Sequence, residues 1–150
     1  MGCKLEETIQ RDLVAAMKSR DERRMAVLRM LKTSIQLAST EKGRGEIADG
    51  DIHVLVRRGI KQREEAAELY KTGGAPERAE EELAESRILA EYLPAQLGNE
   101  ELERVISGVI SSLGASGPKD IGRVMGAAMK ETAGRADGKR VKEITAKLLA

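Results

Sequence analysis

The stretch Tyr92-Leu93-Pro94-Ala95-Gln96-Leu97-Gly98-Asn99 divides this 150-residue chain. A proline crowds the preceding residue out of the α region, so a helix arriving from upstream is expected to stop at Leu93. Gly98 and Asn99 give the opposite signal: a permissive residue, then a side chain suited to cap a new helix. Glu100 and Glu101 follow, in the first turn, where the helix dipole favours acids. Upstream the helical patterns are long, and downstream three short ones follow. The expected fold is all-α, with a larger N-terminal helical lobe over residues 1–93, a linker at 94–98 and a small C-terminal three-helix lobe over 98–150.

Upstream of the break, Leu5, Ile9, Leu13 and Met17 recur at helical spacing and predict a first amphipathic helix. Asp21 is placed to cap a second, with Met25, Leu28, Leu31 and Ile35 as its buried stripe and Arg23, Arg24 and Lys32 projecting elsewhere. Residues 41–46, rich in glycine and charge, read as a loop. Asp49 or Asp51 caps a long third helix with Ile52, Leu55, Val56, Gly59, Ile60, Ala66, Ala67 and Tyr70 inward. Gly59 costs that helix roughly 1 kcal/mol unless another helix packs close to it. Thr72-Gly73-Gly74-Ala75 ends the third helix, and Pro76 suits the first turn of a fourth. The short turn favours an antiparallel hairpin. Arg63, beside the apolar face, is then expected to pair with Glu81, Glu82 or Glu85.

Downstream, Leu102, Val105, Ile106, Val109, Ile110 and Leu113 form one apolar stripe, ended by Gly114. The phrases Lys119-Asp120-Ile121-Gly122-Arg123-Val124-Met125 and Gly134-Arg135-Ala136-Asp137-Gly138-Lys139-Arg140-Val141 each combine an Asp cap, a glycine and basic residues at a helix start. Val124, Met125, Ala128 and Met129 face inward in the first of these helices, which Gly134 ends. Val141, Ile144, Leu148 and Leu149 do so in the second. Helix N-termini attract anions, so two such starts flanked by Lys and Arg could hold phosphates. The plainer reading is two capped helices with glycine at tight packing points.

Composition narrows the functions. Hydrophobic residues make up 41% and charged residues 34%, with no Trp, no Phe and two Tyr, so the core is aliphatic. Single-stranded nucleic acid is commonly gripped by stacking bases on aromatic rings, which this chain can hardly offer. The net charge of +1 is unevenly spread: residues 72–97 carry two basic and six acidic residues, residues 119–150 eight basic and four acidic. One cysteine, Cys3, allows no internal disulfide, and it and the single His53 make no convincing Cys–His pair or metal cluster. Neither a phosphate loop nor a dinucleotide fingerprint is present. No apolar run is long enough for a signal segment or a membrane span, so a cytoplasmic protein is expected. No catalytic residues and no cofactor are expected.

Several phrases, taken in order, resemble the YqeY-like family, the stand-alone relatives of the C-terminal tail of GatB, a subunit of the tRNA-dependent amidotransferase. They are Leu28-Arg29-Met30-Leu31, Lys61-Gln62-Arg63, Glu82 and Glu85, Tyr92-Leu93-Pro94-x-x-Leu97, Asp120-x-Gly122-x-Val124-Met125, and Gly134-Arg135-Ala136-Asp137-Gly138. The turn Thr72-Gly73-Gly74-Ala75-Pro76-Glu77 departs from the basic, polar turn that members often carry. The resemblance implies an all-helical two-lobe fold and a connection to tRNA, since the GatB tail helps to hold the tRNA by its outer region. It does not imply catalysis: a carbon–nitrogen ligase label, with glutamine as amido-N-donor, would be inherited by kinship from chemistry expected to reside in other domains.

Two functions follow as expectations. One is an accessory protein that binds folded tRNA through shape and phosphates, with Lys119, Arg123, Lys130, Arg135, Lys139 and Arg140 as the contacts and Asp120 and Asp137 only capping their helices. Structured RNA can be read through phosphates and 2′-hydroxyls without stacking. The other is a non-catalytic helical adaptor that docks on an aminoacyl-tRNA synthetase or an amidotransferase subunit, which suits the near-neutral charge and the acidic stretch 72–97.

Overall fold

A computed structural model describes residues 3–41, 43 and 45–150. Among them are seven α-helices, one 3-10 turn and no strand: α1 (Lys4–Ser19), α2 (Glu22–Glu41), α3 (Asp49–Thr72), α4 (Pro76–Ala90), α5 (Asn99–Leu113), the 3-10 turn (Pro118–Asp120), α6 (Ile121–Thr132) and α7 (Gly138–Leu148). The chain divides into two compact units, Met1–Leu93 and Pro94–Ala150.

In the first unit, α1 and α2 form one helical hairpin and α3 and α4 another. Ile9, Leu13, Leu28, Leu31, Ile52, Val56, Leu89 and Tyr92 share the core. The α1 stripe departs from the expected one. Ile9, Leu13 and Ala16 are buried, whereas Met17 is 49% exposed. Each four-residue step overshoots a turn of 3.6 residues by about 40°, so Met17 has rotated out of the stripe while Ala16 has come in. Asp21 caps α2 as expected, its Oδ1 accepting the Arg24 N–H at 3.1 Å. Gly43 of the following loop has φ +68°, and Lys42 and Arg44 lie outside the described residues.

Neither candidate aspartate is the N-cap of α3, a position held by Ala48. Asp51, inside the first turn, reaches back to accept the Ala48 N–H at 3.0 Å. Asp49 accepts the Leu5 N–H of α1 at 3.1 Å, which joins two helices far apart in sequence. That bond, followed by one from the Cys3 thiol, holds the Asp49 carboxyl below its usual range.

The α3–α4 hairpin is the tightest pairing in this unit. A Cβ at Gly59 would come within 2.9 Å of Leu89 Cδ1, so glycine there lets the two helices approach closely. Arg63 is 9% exposed, and its Nε meets Glu85 Oε2 at 3.1 Å, which selects Glu85 from the three acids expected on α4. At the end of α4 the buried Tyr92 donates its hydroxyl to Asp12 at 2.6 Å. Burial first, and then this bond, push the Tyr92 pKa well above its ordinary value.

In the second unit α5, α6 and α7 pack mutually. Leu97, Leu102, Ile106, Val109, Val124, Ala128, Ala136, Val141 and Leu149 form its core. Of the expected linker residues Leu97 is buried, and its N–H donates to the Arg135 carbonyl at 2.8 Å. Asn99 is the first residue of α5 and does not cap it, because Gly98 takes the N-cap position in extended conformation. Gly114 ends α5 with φ +64°. The end of α6 falls one residue before the glycine expected to make it. Ala133 (φ +46°) and Gly134 (φ +84°) both enter the left-handed region, which gives a short reversal into α7. A left-handed alanine costs about 1–2 kcal/mol, and the reversal leads into the fully buried Ala136.

Candidate nucleic-acid interface

The two Asp-Gly-basic phrases fold differently. At Asp137 the backbone is extended (φ −84°, ψ 156°), and Oδ1 accepts the Arg140 N–H at 2.8 Å, as an N-cap should. At Asp120 the 3-10 turn runs directly into α6, so the backbone is already helical (φ −93°, ψ 0°) and the carboxylate cannot turn onto the helix's free N–H groups. Its Oδ2 instead accepts the Ser116 N–H at 3.1 Å, and its Oδ1 lies 3.4 Å from Arg123 Nη2. Asp120 therefore stands at the N-cap position of α6, as expected, but its side chain holds the preceding loop and makes no capping bond. The glycines correct the other expectation: a Cβ at Gly122 or Gly138 would meet nothing within 4 Å, so neither is a tight packing point.

The six basic candidates separate into two kinds. Arg140 is half-buried and donates through Nη2 to Leu97 O and to Asn99 Oδ1, both at 2.8 Å. Arg135 donates through Nε to Ala95 O at 3.3 Å. Both thus fasten residues 95–99 to the start of α7, and this shared segment is what brings them together. Arg123 is intermediate: its side chain is 55% exposed, its bond to Leu113 O is 3.3 Å, as long as that of Arg135, and it lies 3.4 Å from Asp120. Lys119, on the 3-10 turn, Lys130, in the last turn of α6, and Lys139, in the first turn of α7, are exposed, and their ammonium groups make no bond to the described residues.

Two further cations on α7, Lys142 and Lys147, are exposed in the same way and were missed as individual candidates. The signal was available, since both contribute to the basic excess of residues 119–150. A free ammonium on a flexible stem is a point charge suited to phosphate. A guanidinium already committed to backbone carbonyls has less freedom to reorient toward a ligand. Among the described residues no group of three or more His, Cys, Asp or Glu is placed to hold a metal ion, and no helix is long and apolar enough to cross a membrane.

These features sit on a chain whose residues 6–149 match the model of the family described as Yqey-like protein. The chain belongs to the YqeY-like family. It is also similar to a subunit of the glutamyl-tRNA(Gln) amidotransferase of Aeropyrum pernix, 36% identical over 102 residues, which cover 62% of this chain and 14% of that relative. The match therefore concerns a small part of a much longer protein.

Proposed function

We propose that this chain binds folded tRNA through shape and phosphates, as an accessory to tRNA-dependent amidation. The observation that carries this reading is the set of uncommitted lysines on the second unit, Lys119, Lys130 and Lys139; Arg123 and Arg135 are exposed as well, though each donates to a backbone carbonyl. Family membership and the name of the amidotransferase relative supply the choice of RNA. With no Trp or Phe in the chain, contact through phosphates and 2′-hydroxyls is the available mode. A tRNA ligand implies a cytoplasmic location, and association with an amidotransferase or an aminoacyl-tRNA synthetase belongs to the same proposal. Catalysis forms no part of it.

The test is a titration of a tRNA transcript at a series of salt concentrations. Each phosphate contact adds roughly 0.7–0.9 to the negative slope of log K against log salt. Lys119→Ala, Lys130→Ala and Lys139→Ala should each weaken binding and flatten the slope by about 1. Failure of the wild-type chain to bind tRNA at low salt would overturn the proposal.

A further inference from the structure

The first unit carries an open groove of about 310 Å³ between α2 and α3, lined by none of the residues assigned to RNA above. Val27, Leu31 and Leu89 lie among its lining residues and are buried in the core. Met30 and Leu37 also line it, yet each is 61% exposed. An isolated exposed apolar residue needs no explanation, but two beside one groove mark a surface suited to an apolar ligand.

The polar groups in the groove give that ligand a sign. Arg63 lines it and is 9% exposed. Its guanidinium has five N–H donors. Nε is taken by Glu85, Nη1 reaches Gly59 O at 3.2 Å, and Nη2 has only the Met30 sulfur at 3.8 Å. A thioether is a weak acceptor, so this part-buried Nη2 group has no oxygen partner among the described residues. Arg58 also lines the groove and makes no hydrogen bond or ion pair to the described residues. Among the described residues Glu41 is the one acid in the lining. Arg63 is paired with Glu85, and Arg58 and Arg63 together stand against one lining carboxylate, so what the groove offers a carboxylate is the unpaired Arg58 and the Arg63 Nη2 group that lacks an oxygen partner.

Shape and chemistry select the carrier. The α2 wall runs from Val27 to Glu41, about 21 Å at 1.5 Å per residue, which matches a helix of about 14 residues. Apolar walls add nothing to phosphate binding, and the lining has no aromatic ring on which a base could stack. We infer that the groove between α2 and α3 docks an acidic amphipathic helix of a protein partner. Its carboxylates meet Arg58 and Arg63, and its apolar stripe lies against Met30 and Leu37, in the helix-in-groove mode. The inference rests on the first unit alone and stands apart from tRNA binding by the second.

The test uses the full chain and fluorescent helical peptides of about 14 residues with leucine on one face and either glutamate or lysine flanking it. Anisotropy should show saturable binding of the glutamate peptide and little of the lysine peptide. Arg58→Glu and Leu37→Glu alter exposed side chains, and circular dichroism should show both variants folded. Each should weaken the glutamate peptide by about tenfold or more, while Arg58→Glu should strengthen the lysine peptide and tRNA binding should stay unchanged. The inference is overturned if neither peptide binds, if both bind alike, or if the folded variants bind as the wild type does. Loss of tRNA binding in these variants would also overturn it, since the groove would then belong to RNA.

Discussion

In the first unit Arg63 lies buried against Glu85, one side-chain pair locking two long helices together. In the second, Arg135 and Arg140 lie nearer the surface and donate to the carbonyls of Ala95 and Leu97, holding an extended segment onto short helices. The difference follows from helix length. A long hairpin such as α3–α4 offers facing side chains along its whole course. Short helices joined by loops leave backbone carbonyls exposed, and these need donors. Charge balance differs too. Residues 94–150 hold nine basic and seven acidic residues, a net of +2, and the rest of the chain seventeen and eighteen, a net of −1. The second unit thus fixes its form with arginine and leaves its lysines free, whereas the first places a guanidinium inside its packing.

The largest test of this contrast is Arg63→Ala. It removes a buried guanidinium and leaves Glu85, whose side chain is 31% exposed, without its partner. The expected loss is about 2–3 kcal/mol, below that of a fully buried pair because Glu85 keeps some water, and urea denaturation measures it. A loss under about 0.5 kcal/mol would remove the contrast with the second unit, since such values are ordinary for surface residues.

The neighbouring pair Arg140 and Lys139 sharpens it next. Arg140→Ala forfeits two bonds of 2.8 Å and should cost about 1–2 kcal/mol. Lys139→Ala should leave stability within about 0.5 kcal/mol of wild type while lowering tRNA affinity. If both variants altered only affinity, or both only stability, the division between fastening arginines and free lysines would fail.

Tyr92 supplies a pH signature confined to the first unit. Its folded pKa lies above the unfolded value of about 10, so the neutral phenol is favoured by folding. This contribution is complete below about pH 10 and is lost as the pH climbs from there through the folded value, by about 1.4 kcal/mol per unit. Tyr92→Phe should cost about 1 kcal/mol at neutral pH, through the lost bond to Asp12, and should remove that part of the alkaline loss. Thermal melts of both proteins across the alkaline range check it. Parallel loss in the two would refute the assignment.

The smallest effect has the opposite sign. Thr145 is wholly buried in the second unit, and its hydroxyl has no hydrogen-bond partner among the described residues. Thr145→Val keeps the shape and removes an unsatisfied group, so a gain of about 1 kcal/mol is expected in urea. A loss instead would mean that the hydroxyl has a use the static packing does not reveal.

Much of this molecule was legible because its signals are local. Apolar spacing and the Pro and Gly positions around residues 73–76, 94 and 114 depend on residues a few positions apart, and all-α structure follows from them. The Arg63–Glu85 pair was legible for the same reason: a short turn leaves an antiparallel hairpin little choice of register. The family could be read from the ordered phrases between Leu28 and Gly138, and the match over residues 6–149 agrees.

What sequence could not decide was where each polar side chain spends its bonds. Asp49, Asn99 and Asp120 were all suitable caps by type. Folding instead sends them to Leu5, Arg140 and Ser116, because an N-cap needs a particular backbone conformation as well as a particular side chain. Arg135, Lys139 and Arg140 looked equivalent as cations, yet bonds to the carbonyls of Ala95 and Leu97 separate fastener from free charge. The groove between α2 and α3 was likewise invisible, since Arg58, Arg63, Met30 and Leu37 line one surface only after two helices pair. Sequence by itself determined the helices and the family, through short-range sterics and periodicity. Tertiary structure alone decided which charges are committed and which are available, because hydrogen-bond partners and burial are set by residues distant along the chain.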